Sequence, residues 1–261
     1  MKETFLGTGA NGGLPQIDCS CLNCVEAEKN HLLRRLRSCV WVESSKGNVI
    51  LDCGPDIRRQ LLTVGLTLRD LRMIAITHLH FDHAGGLMEL SAGKPWAVPV
   101  LVNERVRQQW RNLVQNGGNE IAFLVKAGFM KIIDDQEGLE LGVRLVDVPH
   151  DPKFPTSGIV VDDGISKIWY SPDISQITDQ MLGEIRSADV AIIDGTFLNE
   201  EIYQAPKYNH TTIERSAERL EGIKSRVIFS HINHSESRQR ISGVISKCGF
   251  ILAEDGDKIG I

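Results

Sequence analysis

The run THLHFDHAGG, residues 77–86, puts four metal-binding side chains, His78, His80, Asp82 and His83, into six positions directly after the apolar stretch MIAIT. A short apolar run rich in β-branched residues reads as a buried strand, so the donors stand on the turn that leaves it. On so tight a turn, alternate histidines point one way while Asp82 and His83 serve a neighbouring ion. Imidazole and carboxylate suit zinc, manganese or iron. A pair of ions needs more than four ligands, so the fold must bring others to the same strand end. The chain offers them in a repeated format. Pro149-His150 follows VRLVDV, Pro172-Asp173 follows KIWYS, and His231 follows RVIFS. Each stands where a rigid strand gives way to a positioned loop.

The remaining pattern fits that demand. Other runs that read as strands are TFL near residue 5, CVWVES from 39, NVILD from 48, VPVLV from 98, GIVVD from 158 and VAIID from 190. Between them, Ile57, Leu61, Leu62 and Val64 form an apolar stripe behind Pro55, which suits a helix's first turn. Thr211 and Glu214 fit a capping box, followed by Ile213, Ala217 and Leu220 on one helical face. No repeat, low-complexity tract or linker interrupts the 261 residues, so residues 1–261 read as one α/β sandwich domain. Residues 103–140 are the least legible part and read as a helical insertion or lid.

A second cluster lies near the start. In IDCSCLNCVEAEKN, residues 17–30, Cys19, Cys21 and Cys24 are too close to pair comfortably with one another. The first residues lack an apolar leader core and no apolar run approaches a membrane span. A cytoplasmic, reducing location is the expectation, and clustered thiols there point to a metal site or redox chemistry. Three thiolates leave a tetrahedral zinc one ligand short. His31, Cys39, Cys53, Cys248 and His234 are the candidates to complete it. Just upstream, GTGANG at 7–12 imitates a dinucleotide fingerprint, but Gly13, Leu14 and Pro15 follow where a helix would have to open. It reads as a turn whose backbone approaches another site closely. A net charge of −5 and the lack of a basic arm argue against nucleic acid as a partner.

The histidine motif and the donors that follow it resemble the metallo-β-lactamase superfamily of binuclear metallohydrolases. The resemblance implies a four-layer αββα sandwich with two divalent ions at one edge. His78, His80 and His150 would hold one ion, and Asp82, His83 and His231 the other, with Asp173 bridging. Zinc or manganese is expected, with nickel or iron as further options. Two ions about 3.5–4 Å apart lower the pKa of a shared water and make it the nucleophile. The cysteine run, with a histidine three residues after His231, resembles the branch that includes phosphoribosyl cyclic phosphodiesterases and pyrroloquinoline quinone biosynthesis protein B. That resemblance assigns Cys19, Cys21, Cys24 and His234 to a structural zinc.

Within the branch, His210 in YNHTTIE implies a catalytic histidine able to protonate a leaving alkoxide, with Asp82 the other catalytic candidate. Asp52 and Asp194 each read as a carboxylate orienting a ligand histidine or as a turn residue. Arg34, Arg35 and Arg37 read as a solvated helix face rather than a phosphate clamp. The expected activity is hydrolysis of a small cyclic or nucleotide-like phosphate ester, with no membrane partner and a homodimer as a candidate assembly. The alternatives are an iron-dependent oxidoreductase of cofactor biosynthesis, suggested by SPDISQITDQMLGEIRSADVAIIDGTF at 171–197, and a thioester hydrolase.

Overall fold

The computed structural model describes residues 1–200 and 205–260. Two sheets face each other. With elements numbered in chain order, the first has seven strands: β1 (Lys2–Gly7), β2 (Cys39–Ser44), β3 (Gly47–Leu51), β4 (Leu71–Ala75), β5 (Val98–Leu101), β6 (Met130–Ile133) and β13 (Lys258–Gly260). Their order is β13-β1-β2-β3-β4-β5-β6. The second has six: β7 (Val143–Asp147), β8 (Ser157–Asp162), β9 (Lys167–Ser171), β10 (Val190–Asp194), β11 (Arg226–Ser230) and β12 (Ile251–Leu252), in the order β12-β11-β10-β9-β8-β7. Each sheet is antiparallel on one side and parallel on the other.

The parallel strands are buried on both faces, which is why they read as unbroken apolar runs. In β4, Met73 and Ala75 enter the core between the sheets while Ile74 packs outward. In β10, Val190 and Ile192 face inward, and Ala191 and Ile193 face the helices outside. Helices α7 (Asp179–Ser187), α8 (Ile213–Arg219) and α9 (Arg238–Lys247) cover the second sheet through Met181, Leu182, Ile213, Ile241 and Ile245. On the first sheet, α2 (Ile57–Val64), α4 (Glu104–Asn116) and α5 (Glu120–Lys126) do the same through Ile57, Leu61, Trp110 and Leu124. The result is the four-layer αββα sandwich. The remaining helices are α1 (Leu22–Lys29), α3 (Phe81–Ala84) and α6 (Asp135–Glu140).

Several local expectations are corrected. Pro55 lies outside α2, whose N-cap is Asp56. Leu62 points to solvent at 71% exposure, and its place inside goes to Gln60, which donates to the Arg37 carbonyl at 2.8 Å. In α8 the cap is Thr212, one residue later than expected, accepting from the Arg215 N–H at 3.2 Å. Residues 103–140 are largely helical and pack on the first sheet. Trp110 and Leu124 are buried against the first sheet and β6 extends that sheet alongside β5. Arg35 is not on a solvated helix face. It is buried and paired with Glu254 at 2.7 Å, while Arg37 pairs with Asp56.

Glu3 shares the inner face of β1 with Phe5 and is fully buried, with no hydrogen-bond partner for either oxygen among the described residues. Burial pushes its carboxyl up to about 7 from 4.5. A carboxyl raised in the fold favours folding while protonated. That contribution is complete below about pH 4.5 and is lost as pH rises through 7. Glu3→Gln is therefore expected to stabilise the protein by about 2 kcal/mol at pH 8 and by almost nothing at pH 4.5. Urea midpoints at the two pH values check this, and an equal effect at both would refute it.

Candidate metal centre

Strands β3, β4, β7, β9, β10 and β11 end at one edge of the sandwich, and the residue or loop after each carries a polar side chain into the same place. His78 Nε2 lies 2.8 Å from His80 Nδ1 and 3.3 Å from Asp173 Oδ2. His150 Nε2 is 3.4 Å from the same His80 nitrogen. A second set adjoins it. Asp82 Oδ2 is 3.2 Å from His83 Nε2 and 3.3 Å from His231 Nε2, and His83 Nε2 is 2.8 Å from Asp173 Oδ2. Both sets gather their donors within 4.8 Å of one another, and Asp173 belongs to each.

The outer nitrogens fix which way the lone pairs face. His150 Nδ1 is 3.0 Å from the Asn209 carbonyl and His83 Nδ1 is 2.7 Å from Asp52 Oδ2. Neither partner can donate, so each ring carries a proton there and turns Nε2 inward as the nitrogen free to ligate. The inner imidazole nitrogens and carboxylate oxygens are thereby crowded against one another. His83 Nε2 and Asp173 Oδ1 are buried without a hydrogen-bond partner among the described residues. Such an arrangement is costly alone and is satisfied by cations. The spacings match the edge of a tetrahedral zinc shell, about 3.3 Å for nitrogen ligands at 2.0–2.1 Å. The donor set therefore fits a pair of divalent ions.

Electrostatics point the same way. Burial alone would raise Asp82 and Asp173, but the imidazoles of His83 and His231 outweigh it and hold both carboxylates ionised. Burial, reinforced by neighbouring imidazoles, keeps His78, His80 and His150 low and neutral. For His83, burial is outweighed by Asp82, Asp173 and Asp52, which raise it. The field that would draw a proton to its Nε2 draws a metal ion equally.

Among the orienting groups, the sequence leaves Asp52 and Asp194 open between orienting carboxylate and turn residue and does not mark Thr77, Thr196 or Tyr170. Asp52 is fully buried and accepts from the Thr77 N–H and Oγ1, from His83 and from the Tyr170 hydroxyl of the opposite sheet at 3.0 Å. Thr77 Oγ1 also sits 2.9 Å from His78 Nδ1, so one carboxylate steadies a histidine of each set. Asp194 instead holds His210, whose Nδ1 lies 2.8 Å from Oδ2. Burial opposes a charge on His210, but this carboxylate pushes it up to about 9. Thr196 Oγ1 lies 2.7 Å from His231 Nδ1. Asp52, Asn209 and His231 all have φ near +60°, a region costing a non-glycine residue roughly 1–3 kcal/mol. Backbone strain thus concentrates on the residues that aim the cluster. Gly54 and Gly86 let the backbones cross, since a Cβ on Gly54 would meet the Asp82 carbonyl at 2.1 Å and one on Gly86 the Gly54 carbonyl at 2.0 Å.

The sulfurs of Cys19, Cys21 and Cys24 lie 3.5, 3.7 and 3.4 Å from His234 Nδ1. The nitrogen–sulfur edge of a zinc tetrahedron is about 3.6 Å, so this set fits one closed ion. His31 is exposed on a 3-10 turn away from it. The GTGANG segment forms no helix; instead Gly9 pairs with Ile232, and Ala10, Asn11 and Gly12 wall the cavity over the histidine cluster. No residue of 103–140 is among the described residues lining that cavity, and no helix among them is long and apolar enough to cross a membrane.

Comparisons agree with this architecture. Over 98% of each chain, the sequence is 23% identical to coenzyme PQQ synthesis protein B of Methylobacterium radiotolerans. Zinc-bound PqqB from Methylobacterium extorquens superposes with a TM-score of 0.80 at 24% identity over the full length of both chains. A diphosphatase of the PhnP family gives 0.75 at 23% identity, covering all of this chain and 97% of the other. The family model described as the beta-lactamase superfamily domain matches residues 47–232, most of the chain and all seven residues of the histidine and aspartate donor set. The protein belongs to the beta-lactamase superfamily.

Proposed function

We propose that the protein is a metal-dependent hydrolase of small phosphodiesters. One observation carries the reading: a donor cluster that fits two cations shares its cavity with an oriented His210–Asp194 pair. Two divalent ions held there supply Lewis acidity and a water that is nucleophilic near neutral pH. His78, His80, His150, Asp82, His83, His231 and Asp173 would hold them. The protein's own contribution is positioning. Asp52 and Thr77 keep His83 and His78 in the ligating tautomer, and Thr196 steadies His231. His210 gives Nδ1 to Asp194, which leaves Nε2 as the nitrogen able to hand a proton to a departing alkoxide. The solved neighbour described as a diphosphatase agrees with chemistry at phosphorus.

Cyclic phosphates, linear phosphodiesters, thioesters and lactams, assayed with zinc, manganese, nickel and iron, test the assignment. Phosphodiesters should lead, and exclusive turnover of a thioester would overturn it. His210→Gln should lower kcat by roughly 10²–10⁴-fold with metal content unchanged. A loss of metal instead would make His210 a ligand and not an acid.

A second reading, a metal-dependent role in quinone cofactor synthesis, is favoured by the full-length relatives that bear that description. Oxygen consumption by anaerobically iron-loaded protein with candidate peptides would favour it over hydrolysis.

A further inference from the structure

The cavity over the cluster has a volume of about 740 Å³, and among the described residues no lysine or arginine lines it. Residues 201–206 contain neither in sequence. Beyond the metal-binding groups and His210, its wall offers neutral amides and the exposed ring of Tyr208, backed by the buried Phe197. Asn11 is fixed through its backbone carbonyl, which accepts from Arg37 Nε at 3.0 Å, and Gln16 through its N–H, 3.3 Å from Cys24 Sγ. Neither side-chain amide has a partner among the described residues. Gly12 makes room for the Gln16 amide, since a Cβ there would meet Gln16 Oε1 at 2.2 Å. Asn233 Oδ1 accepts from the Ser235 N–H and hydroxyl, which leaves its Nδ2 as the free end. The rings of Phe197 and Tyr208 are 5.9 Å apart.

From these groups we infer that the subsite beside the metal cluster takes an uncharged, ring-bearing group of nucleoside size and has no place for a second phosphate. The inference rests on the phosphodiesterase reading and narrows it. Free amides match sugar hydroxyls and base edges, and the exposed face of Tyr208 can lie against a flat ring. A phosphate monoester needs arginine, lysine or clustered N–H donors. Apart from His210, which stands at the metal cluster where the scissile phosphate would sit, no cationic side chain among the described residues lines this wall, so a distal phosphate gains nothing over solvent.

Three chromogenic esters separate the possibilities with the zinc-loaded full chain: thymidine 5′-(p-nitrophenyl phosphate), its 3′-phosphorylated form, and methyl p-nitrophenyl phosphate. The thymidine ester should show the lower KM of the two uncharged-remainder esters, by about tenfold or more, from several hydrogen bonds acting together. Adding the 3′-phosphate should leave KM unchanged or raise it. Asn11→Ala and Gln16→Ala should each lower the thymidine-to-methyl ratio of kcat/KM by about three- to tenfold. A 3′-phosphate that lowers KM tenfold, or a ratio unmoved in both variants, overturns the subsite. Calorimetric binding of thymidine 5′-monophosphate and thymidine 3′,5′-bisphosphate reads the same subsite without turnover. Hydrolysis of none of the esters with equal binding of the two nucleotides overturns the phosphodiesterase reading and leaves the subsite standing. Tenfold tighter bisphosphate binding, or binding of neither nucleotide, overturns the subsite itself.

Discussion

Asp173→Ala is expected to lose both active-site ions together and turnover by about 10³-fold or more, well beyond the roughly 10–100-fold cost of losing an outer orienting partner. Asp173 is 2% exposed, and its Oδ2 reaches both sets, 2.8 Å from His83 Nε2 and 3.3 Å from His78 Nε2. If Asp173 bridges a metal pair, removing it would take a ligand and a shared negative charge from both ions at once. The imidazole lone pairs that remain face one another with Asp82 alone to offset a cation. His80→Ala touches only the first set, so it should release one ion before the other. Metal content of desalted protein, measured beside turnover, distinguishes the two. An Asp173→Ala chain that keeps either ion at wild-type affinity would show that Asp173 does not bridge.

Cys21→Ala should act mainly on stability. A zinc site whose ligands are assembled only by folding contributes its binding energy to the fold, up to about 10–16 kcal/mol in small zinc domains. Here other contacts also hold the loop: Leu14 exchanges backbone hydrogen bonds with Arg35, and Asn23 Nδ2 donates to the His234 carbonyl at 3.0 Å. The expected loss is therefore smaller, about 3–5 kcal/mol, or roughly 10 °C in melting temperature for a chain of this size. Asn233 and Ser235 flank His234 and line the cavity, so KM should rise more than kcat falls. Melting with and without chelator, together with a count of bound metal, checks this. An unchanged ion count in Cys21→Ala would remove the structural site from the account.

The legibility of the chain follows from where the physical signal is local. The runs MIAIT and VAIID announce themselves because a strand buried on both faces must be apolar throughout. Strands β12 and β13 have two and three residues, carry no period of their own and exist through partners distant in sequence. Strand β6 hides in a segment dominated by helix. Gln60 displaces Leu62 from the interior because it satisfies the Arg37 carbonyl, a requirement set by another element. At the centre, the donors were readable because each stands behind an apolar run, and the family resemblance assigned them to ions. Of their supports, Asp52 and Asp194 were readable only as one of two alternatives, and the others were not readable at all. Tyr170 reads as an ordinary core aromatic until the opposite sheet brings Asp52 to its hydroxyl. Thr77 and Thr196 look like turn residues, and the left-handed backbones of Asn209 and His231 leave no glycine to betray them.

The most direct test of the central claim is X-ray diffraction at the zinc absorption edge from crystals of the zinc-loaded protein. Two anomalous peaks about 3.5–4 Å apart, one on either side of Asp173, and a third among Cys19, Cys21, Cys24 and His234 are the expected result. No peak among His78, His80, His83, His150 and His231, or imidazoles turned away from one another, would contradict it.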